Sequence, residues 1–222
     1  MNADSPAPEP APQEGTPSEP SELPAPNHHA SHGGFSGFGG FVAAVRFLFG
    51  RDDAAELAIE LADLQPGERA VDIGCGPGIA VHHARSLGAE VVGVDPASVM
   101  LRVARVRWRR DPGVSWRVGT AESIPVDDRW ANVAWSLATV HHWVDVDAAL
   151  DEATRVLAPG GRLVVLERRI EDTNAEGTAS HGWTFEQAES FAEHCRRHGF
   201  VDAAVGTHVR GRDLLSVVAR RT

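Results

Sequence analysis

Lysine is missing altogether from this 222-residue chain, and cysteine nearly so. Without lysine there is no amine for Schiff-base chemistry. The two cysteines, Cys75 and Cys195, are too few for a disulfide framework and show no metal-ligand spacing, so no metal centre is expected. Long apolar runs are missing too. The longest, Phe41 to Phe49, is broken by Arg46 and falls short of the ~18 residues that a spanning helix needs. No Lys or Arg precedes Arg46, and the same stretch carries Asp4, Glu9, Glu14, Glu19 and Glu22. A secretory leader would open with cations and an apolar core, so a cytoplasmic location without a membrane span is expected. The formal net charge of −10 also disfavours nucleic acid, whose binding needs clustered cations. The one basic cluster, Arg102, Arg105, Arg107, Arg109 and Arg110, reads as a solvated helix face near a helix C-terminus.

What is present divides into a tail and a domain. Residues 1–27 are rich in Pro, Ala, Glu and Ser and hold too little apolar surface to offset ordering entropy. The expected disordered tail is taken to residue 32, and His28, His29 and His32 within it receive no functional weight. A Gly/Phe-rich stretch with Phe35, Phe38 and Phe41 opens a lid-like segment over residues 33–64. Its phenylalanines either pin the chain to the core or belong to a flap over a site. A helix is expected from Arg51 to Leu64. Strands near Ala70–Ile73, Glu90–Val94, Ser115–Val118, Asn132–Ser136 and Arg162–Glu167 then follow one another. Helices near Ile79–Leu87, Ser98–Arg109 and Val146–Leu157 are interspersed, which predicts a mostly parallel sheet with helices on both faces. Thr184-Phe185-Glu186-Gln187 fits a capping box before a helix to about His198. The apolar runs Phe200–Thr207 and Asp213–Ala219 are too close for a crossover helix and should pair antiparallel.

The most informative run is Val71-Asp72-Ile73-Gly74-Cys75-Gly76-Pro77-Gly78, an apolar strand leading into a glycine loop before a helix. Asp95 follows at the tip of the next apolar run. Glycines allow a tight turn and close approach to a nucleoside, and the second acid accepts from ribose hydroxyls. A dinucleotide fingerprint would need glycine at position 79, which is Ile79. The spacing G-x-G-x-G resembles instead the first motif of the class I S-adenosylmethionine (SAM) dependent methyltransferases. Three further stretches resemble that family in order: Val92-Gly93-Val94-Asp95, Gly119-Thr120-Ala121-Glu122-Ser123-Ile124-Pro125, and Ala153 to Gly161 with its Arg155-Val156-Leu157-Ala158-Pro159-Gly160-Gly161.

The resemblance covers about Leu64 to the C-terminus. It implies a Rossmann-like α/β fold with a seven-stranded, mostly parallel sheet closed by a C-terminal antiparallel hairpin, and S-adenosyl-L-methionine as cofactor. It assigns cofactor contacts to Asp72, Gly74, Cys75, Gly76, Asp95, Pro96, Met100, Thr120, Ala121, Glu122 and Ser136. Asp95 would take the ribose, Asp72 the methionine amino group, Met100 the adenine face and Ala121 the adenine edge. Asp72 has a second reading as a loop cap, and Glu122 as a helix start. Two positions depart from the family pattern. Thr120 replaces an aspartate that accepts from the adenine amine, and Ala131 stands where F-D-x-V has its acid, which implies altered packing.

After the fourth strand comes Ser136-Leu137-Ala138-Thr139-Val140-His141-His142-Trp143, without the N/D-P-P-Y/F motif of exocyclic-amine methyltransferases. This resembles the small-molecule, quinone-biosynthesis-like branch. Histidine titrates near neutrality, so His141 and His142 are candidates for a general base, with packing or a lid as their other reading. The expected activity is methyl transfer to an O, N or C atom of a small molecule. A SAM-binding module without turnover and an NAD-type oxidoreductase are the alternatives.

Overall fold

A computed structural model describes residues 24–29, 52–174 and 180–222. Helix α1 (Asp52–Ala62) is followed by β1 (Arg69–Ile73), α2 (Ile79–Ser86), β2 (Glu90–Asp95), α3 (Ser98–Arg107), β3 (Val114–Val118) and β4 (Ala131–Leu137). A 3-10 turn (Val140–His142), α4 (Val146–Val156), β5 (Leu157–Arg168), α5 (Phe185–Arg197), β6 (Phe200–Val209) and β7 (Asp213–Arg221) complete the order.

The seven strands form one sheet in the order β3-β2-β1-β4-β5-β7-β6. The pairs β1–β2, β2–β3, β1–β4 and β4–β5 are parallel. β7 runs antiparallel to both β5 and β6, so the expected terminal hairpin is present and its second strand is the inner one. The side-chain period of two sends alternate strand residues to opposite faces. Val71, Ile73, Val92, Val94, Ala134 and Val165 pack under α4 and α5. Ala70, Val91, Val133, Trp135 and Val164 pack under α1 and α2. A sheet covered on both faces needs long apolar strands, and β4 and β5 supply them.

Local chemistry sets the element ends. Gly78, at φ 82°, begins α2. Asp145 caps α4 by accepting from the amides of Asp147 and Ala148, and Thr184 with Gln187 completes the capping box of α5. β5 begins earlier than the sequence reading has it. Leu157 pairs with Ala131 before the turn at Pro159-Gly160-Gly161, and the register shifts before Val133 meets Arg162. α4 therefore ends at Val156 because the next residue is already in the sheet. Ala131 is fully buried at this pairing, in a place where an acid would have to be dehydrated. Arg155, from the fourth motif, fastens the segment by donating to the carbonyls of Ile124 (2.7 Å) and Val126 (2.8 Å) and to Glu152 (2.7 Å).

The tail boundary moves. Residues 24–29 lie against the domain: Trp183 Nε1 donates to the Pro26 carbonyl (2.7 Å), and Gln187 Nε2 to that of Ala25 (2.8 Å). Asn27 Nδ2 donates to the Trp143 carbonyl (3.1 Å), and the His29 amide to that of His141 (2.8 Å). The reason is that the domain needs backbone acceptors here, which residue composition does not reveal. The rest of the expected tail, and residues 33–51 of the lid-like segment with Phe35, Phe38 and Phe41, lie outside the described residues. Among the described residues no helix is long and apolar enough to cross a membrane. Arg102, Arg105, Arg107, Arg109 and Arg110 are all exposed, as expected of a solvated face.

Candidate active site

β1 delivers the glycine loop to the carboxyl edge of the sheet. There the amides of Gly74 and Cys75 both donate to the Val94 carbonyl, at 2.8 and 3.0 Å, which folds the loop over the end of β2. Gly74 and Gly76 have φ of 76° and 53°, in the left-handed region that side chains resist. At Gly74 a Cβ would also sit 2.6 Å from a carbon of Thr139. Asp95 is buried and ties the loop down: one carboxylate oxygen accepts from the Gly76 amide and the other from that of Ala97, each at 2.8 Å. The residue expected to receive ribose thus also shapes the loop.

Ala55 of α1, Asp72, Gly74, Cys75, Pro77, Ile79, Ala80 and Leu137 line a cleft between α1 and the loop. Its field can be read from the Cys75 thiol. Burial pushes that thiol well above its usual pKa, and the negative charges of Asp72 and Asp95 push it further. The same two charges favour a cation in the cleft. This fits SAM, which carries a sulfonium and an ammonium group beside an uncharged nucleoside.

The other sequence-assigned positions divide. Pro96 is exposed, while Met100 is buried with Val99 and packed against Ala97 and Val103. Thr120 closes a tight turn with Ser123 through reciprocal amide–carbonyl bonds of 3.3 Å, leaving Ala121 buried. No helix starts at Glu122. Its Oε1 accepts instead from the amides of Val144 (2.7 Å) and Asp145 (3.2 Å), holding the approach to α4. Ser136 is fully buried, with its hydroxyl shared with that of Thr139 at 2.5 Å. Thr139 in turn donates to the Ile73 carbonyl (3.3 Å), so this pair joins the ends of β4 and β1.

His141 and His142 occupy the 3-10 turn after β4. His141 is buried, and its Nδ1 lies 2.9 Å from Oε2 of the fully buried Glu167 on β5. The other oxygen of Glu167 accepts from the Val140 amide at 2.8 Å. Its other ring nitrogen, Nε2, is 3.4 Å from Nδ1 of His181. Burial, then the neighbouring imidazoles of His141 and His181, lower the pKa of His142 to about 4, so it is neutral at physiological pH. His28 and His29 complete a group of five imidazoles, with ring centroids of His29 and His181 4.7 Å apart. Sequence reasoning missed Glu167 and His181 and gave no weight to His28 and His29. For Glu167 a signal existed, an acid closing the apolar run Leu163–Leu166; for His181 none did. His82 and His83 lie elsewhere, stacked on Trp108 and paired with Asp52 respectively.

Sheet order, inner antiparallel β7 and a glycine loop facing an acid at the end of β2 define the class I SAM-dependent methyltransferase fold. The chain has this fold, and residues 71–165 match the family described as "Methyltransferase domain". It is similar to an uncharacterized 37.1 kDa protein in a transposon of Streptomyces fradiae, 38% identical over 112 residues, covering 49% of this chain and 32% of that protein. It is also similar to the demethylmenaquinone methyltransferase of Tropheryma whipplei, 33% identical over 110 residues, covering 50% of this chain and 46% of the relative. The aligned part thus spans less than half the length of these curated relatives. Among solved structures, a SAM-dependent methyltransferase from Aquifex aeolicus superposes with a TM-score of 0.67 at 17% identity, over 81% of this chain and 98% of that one, a likeness of fold.

Proposed function

We propose that this protein binds SAM in the loop cleft and transfers its methyl group to a small-molecule acceptor in the cytoplasm. The observation that carries the reading is the glycine loop, bent back onto β2 and tied down by Asp95, with Asp72 lining the cleft beside it. Bound SAM would supply an activated methyl on a sulfonium. The chain's own part is positional. Loop glycines permit close backbone approach, Asp95 fixes the loop and faces the ribose position, and Asp72 attracts the cationic methionine end. The turn after β4, anchored by Thr139 to β1, borders the acceptor side. Methyl transfer needs the nucleophile held in line behind the methyl, and such positioning supplies much of the acceleration by itself. The relative named a demethylmenaquinone methyltransferase supports a small aromatic acceptor.

Calorimetry and thermal unfolding with SAM, S-adenosylhomocysteine and NAD test the cofactor, since a ligand of the native state raises Tm. Labelled-methyl transfer into cell extract, fractionated for small molecules, tests turnover. Stabilisation by NAD and not by SAM would overturn the assignment. SAM binding without label transfer would leave a SAM-binding module.

A further inference from the structure

The imidazole group after β4 stands apart from the residues that line the cofactor cleft. Nitrogens of His141, His142 and His181 lie within 4.8 Å of one another. Zn–N bonds of about 2.0–2.1 Å place tetrahedral ligands about 3.3–3.4 Å apart, and His141 Nε2 to His181 Nδ1 is 3.4 Å. Glu167 takes the other nitrogen of His141 at 2.9 Å, which turns the Nε2 lone pair toward the group. A buried carboxylate behind a histidine is the usual support of a metal ligand. The remaining histidines sort themselves by their bonds. His28 donates Nε2–H to the Ser180 carbonyl (3.0 Å) and receives Gln187 Nε2 at Nδ1 (2.9 Å), so both its nitrogens are engaged. His29 meets Ser180 at Oγ (3.1 Å) and stacks on His181. The rings of these two lie beside the trio, with centroids 4.7–6.1 Å from its members.

We propose that His141, His142 and His181 form a three-histidine site for a divalent transition ion such as zinc, with the fourth position left for the acceptor's oxygen. Three protein ligands and one open position are the pattern of a catalytic rather than a structural zinc site. The site lies two residues beyond Thr139, which packs on Gly74 of the cofactor loop. This inference rests on the methyl-transfer reading and narrows it to a hydroxyl acceptor, phenol or quinol in type. Coordination acidifies the hydroxyl, whose proton passes to solvent. The oxygen pair then forms the new O–CH3 bond as the S–CH3 bond breaks, leaving a neutral thioether and an ether.

The test uses the untagged full-length chain, stripped with chelator and titrated with Zn2+ against a chromogenic competitor. Co2+ follows as a probe whose visible spectrum reports tetrahedral ligation, and SAM binding is measured in parallel. One zinc per chain is expected. His142→Ala and His181→Ala should each weaken it more than Glu167→Gln, for which about 10- to 100-fold is expected. The double variant of His82 and His83 to Ala should leave zinc affinity unchanged, and retained SAM binding verifies folding. Wild-type chain that binds SAM but no stoichiometric zinc overturns the site alone, as does zinc binding that survives in the His142→Ala/His181→Ala double variant. Zinc binding without SAM binding leaves the site standing and overturns the cofactor assignment.

Discussion

Replacing Asp95 by Asn probes the cleft at its most connected group. The carboxylate accepts from the amides of Gly76 and Ala97, both at 2.8 Å, and only 8% of the residue is exposed. Asn supplies one oxygen and one NH2, so one amide keeps its acceptor while the other faces a donor. A hydrogen bond to a charged group is worth about 1.5–3 kcal/mol, and leaving a buried donor unpaired costs a similar amount. At about 2–4 °C per kcal/mol for a domain of this size, Tm should fall by about 3–12 °C. The same loss on the ribose side corresponds to a SAM affinity about 10- to 150-fold weaker. Thermal unfolding monitored by circular dichroism, together with calorimetric titration of SAM, reads the two effects separately. Unchanged Tm and unchanged SAM affinity would refute the reasoning. A lowered Tm with unaltered affinity would confine Asp95 to holding the loop.

Other perturbations have equally definite outcomes. Gly74→Ala combines a φ of 76° with a Cβ 2.6 Å from Thr139, and should weaken SAM binding by calorimetry while Thr139→Ser partly restores it. Deleting residues 1–23 should leave Tm unchanged. Deleting 1–29 instead strips the acceptors from Trp183 Nε1 and Gln187 Nε2, at about 1–3 kcal/mol each, and should lower Tm measurably. Glu152 has its pKa lowered, chiefly by its hydrogen bond from Arg155. A depressed carboxyl pKa gives stability that is present above the unfolded value of about 4.3 and lost as pH falls through the folded one. The stability difference between wild type and Glu152→Gln, by urea unfolding, should therefore be full at neutral pH and shrink below about pH 4. A difference that persists undiminished in acid would assign it to packing.

Much of the scaffold was legible because its signals are local. The turn requirements of Gly74 and Gly76, the Thr184–Gln187 capping box and the short link between β6 and β7 each constrain a few adjacent residues. The shape of the glycine loop was legible for the same reason, since Asp72 and the loop are contiguous and Asp95, which ties it down, ends the next strand. The histidine group was not. It joins segments 40 residues apart for His141 and His181, and its support, Glu167, lies on another strand. Residues 24–29 escaped notice because carbonyls of Ala25 and Pro26 do the binding, and every residue type has a carbonyl. The second reading of Glu122, as a helix start, fails because its partners, the amides of Val144 and Asp145, follow it by more than twenty residues.

The placement of β7 between β5 and β6 bears on how the chain is made. During synthesis β6 emerges first but has no hydrogen-bonding neighbour, since its partner residues 213–221 are still to come. Until they arrive, β5 also presents an unpaired edge from Arg162 to Arg168, and α5 has only part of its floor. Open edges of this kind invite pairing with other chains. A ribosome that stalls before residue 213 would therefore release a species with two exposed strands, a substrate for chaperones more than a slightly shortened protein.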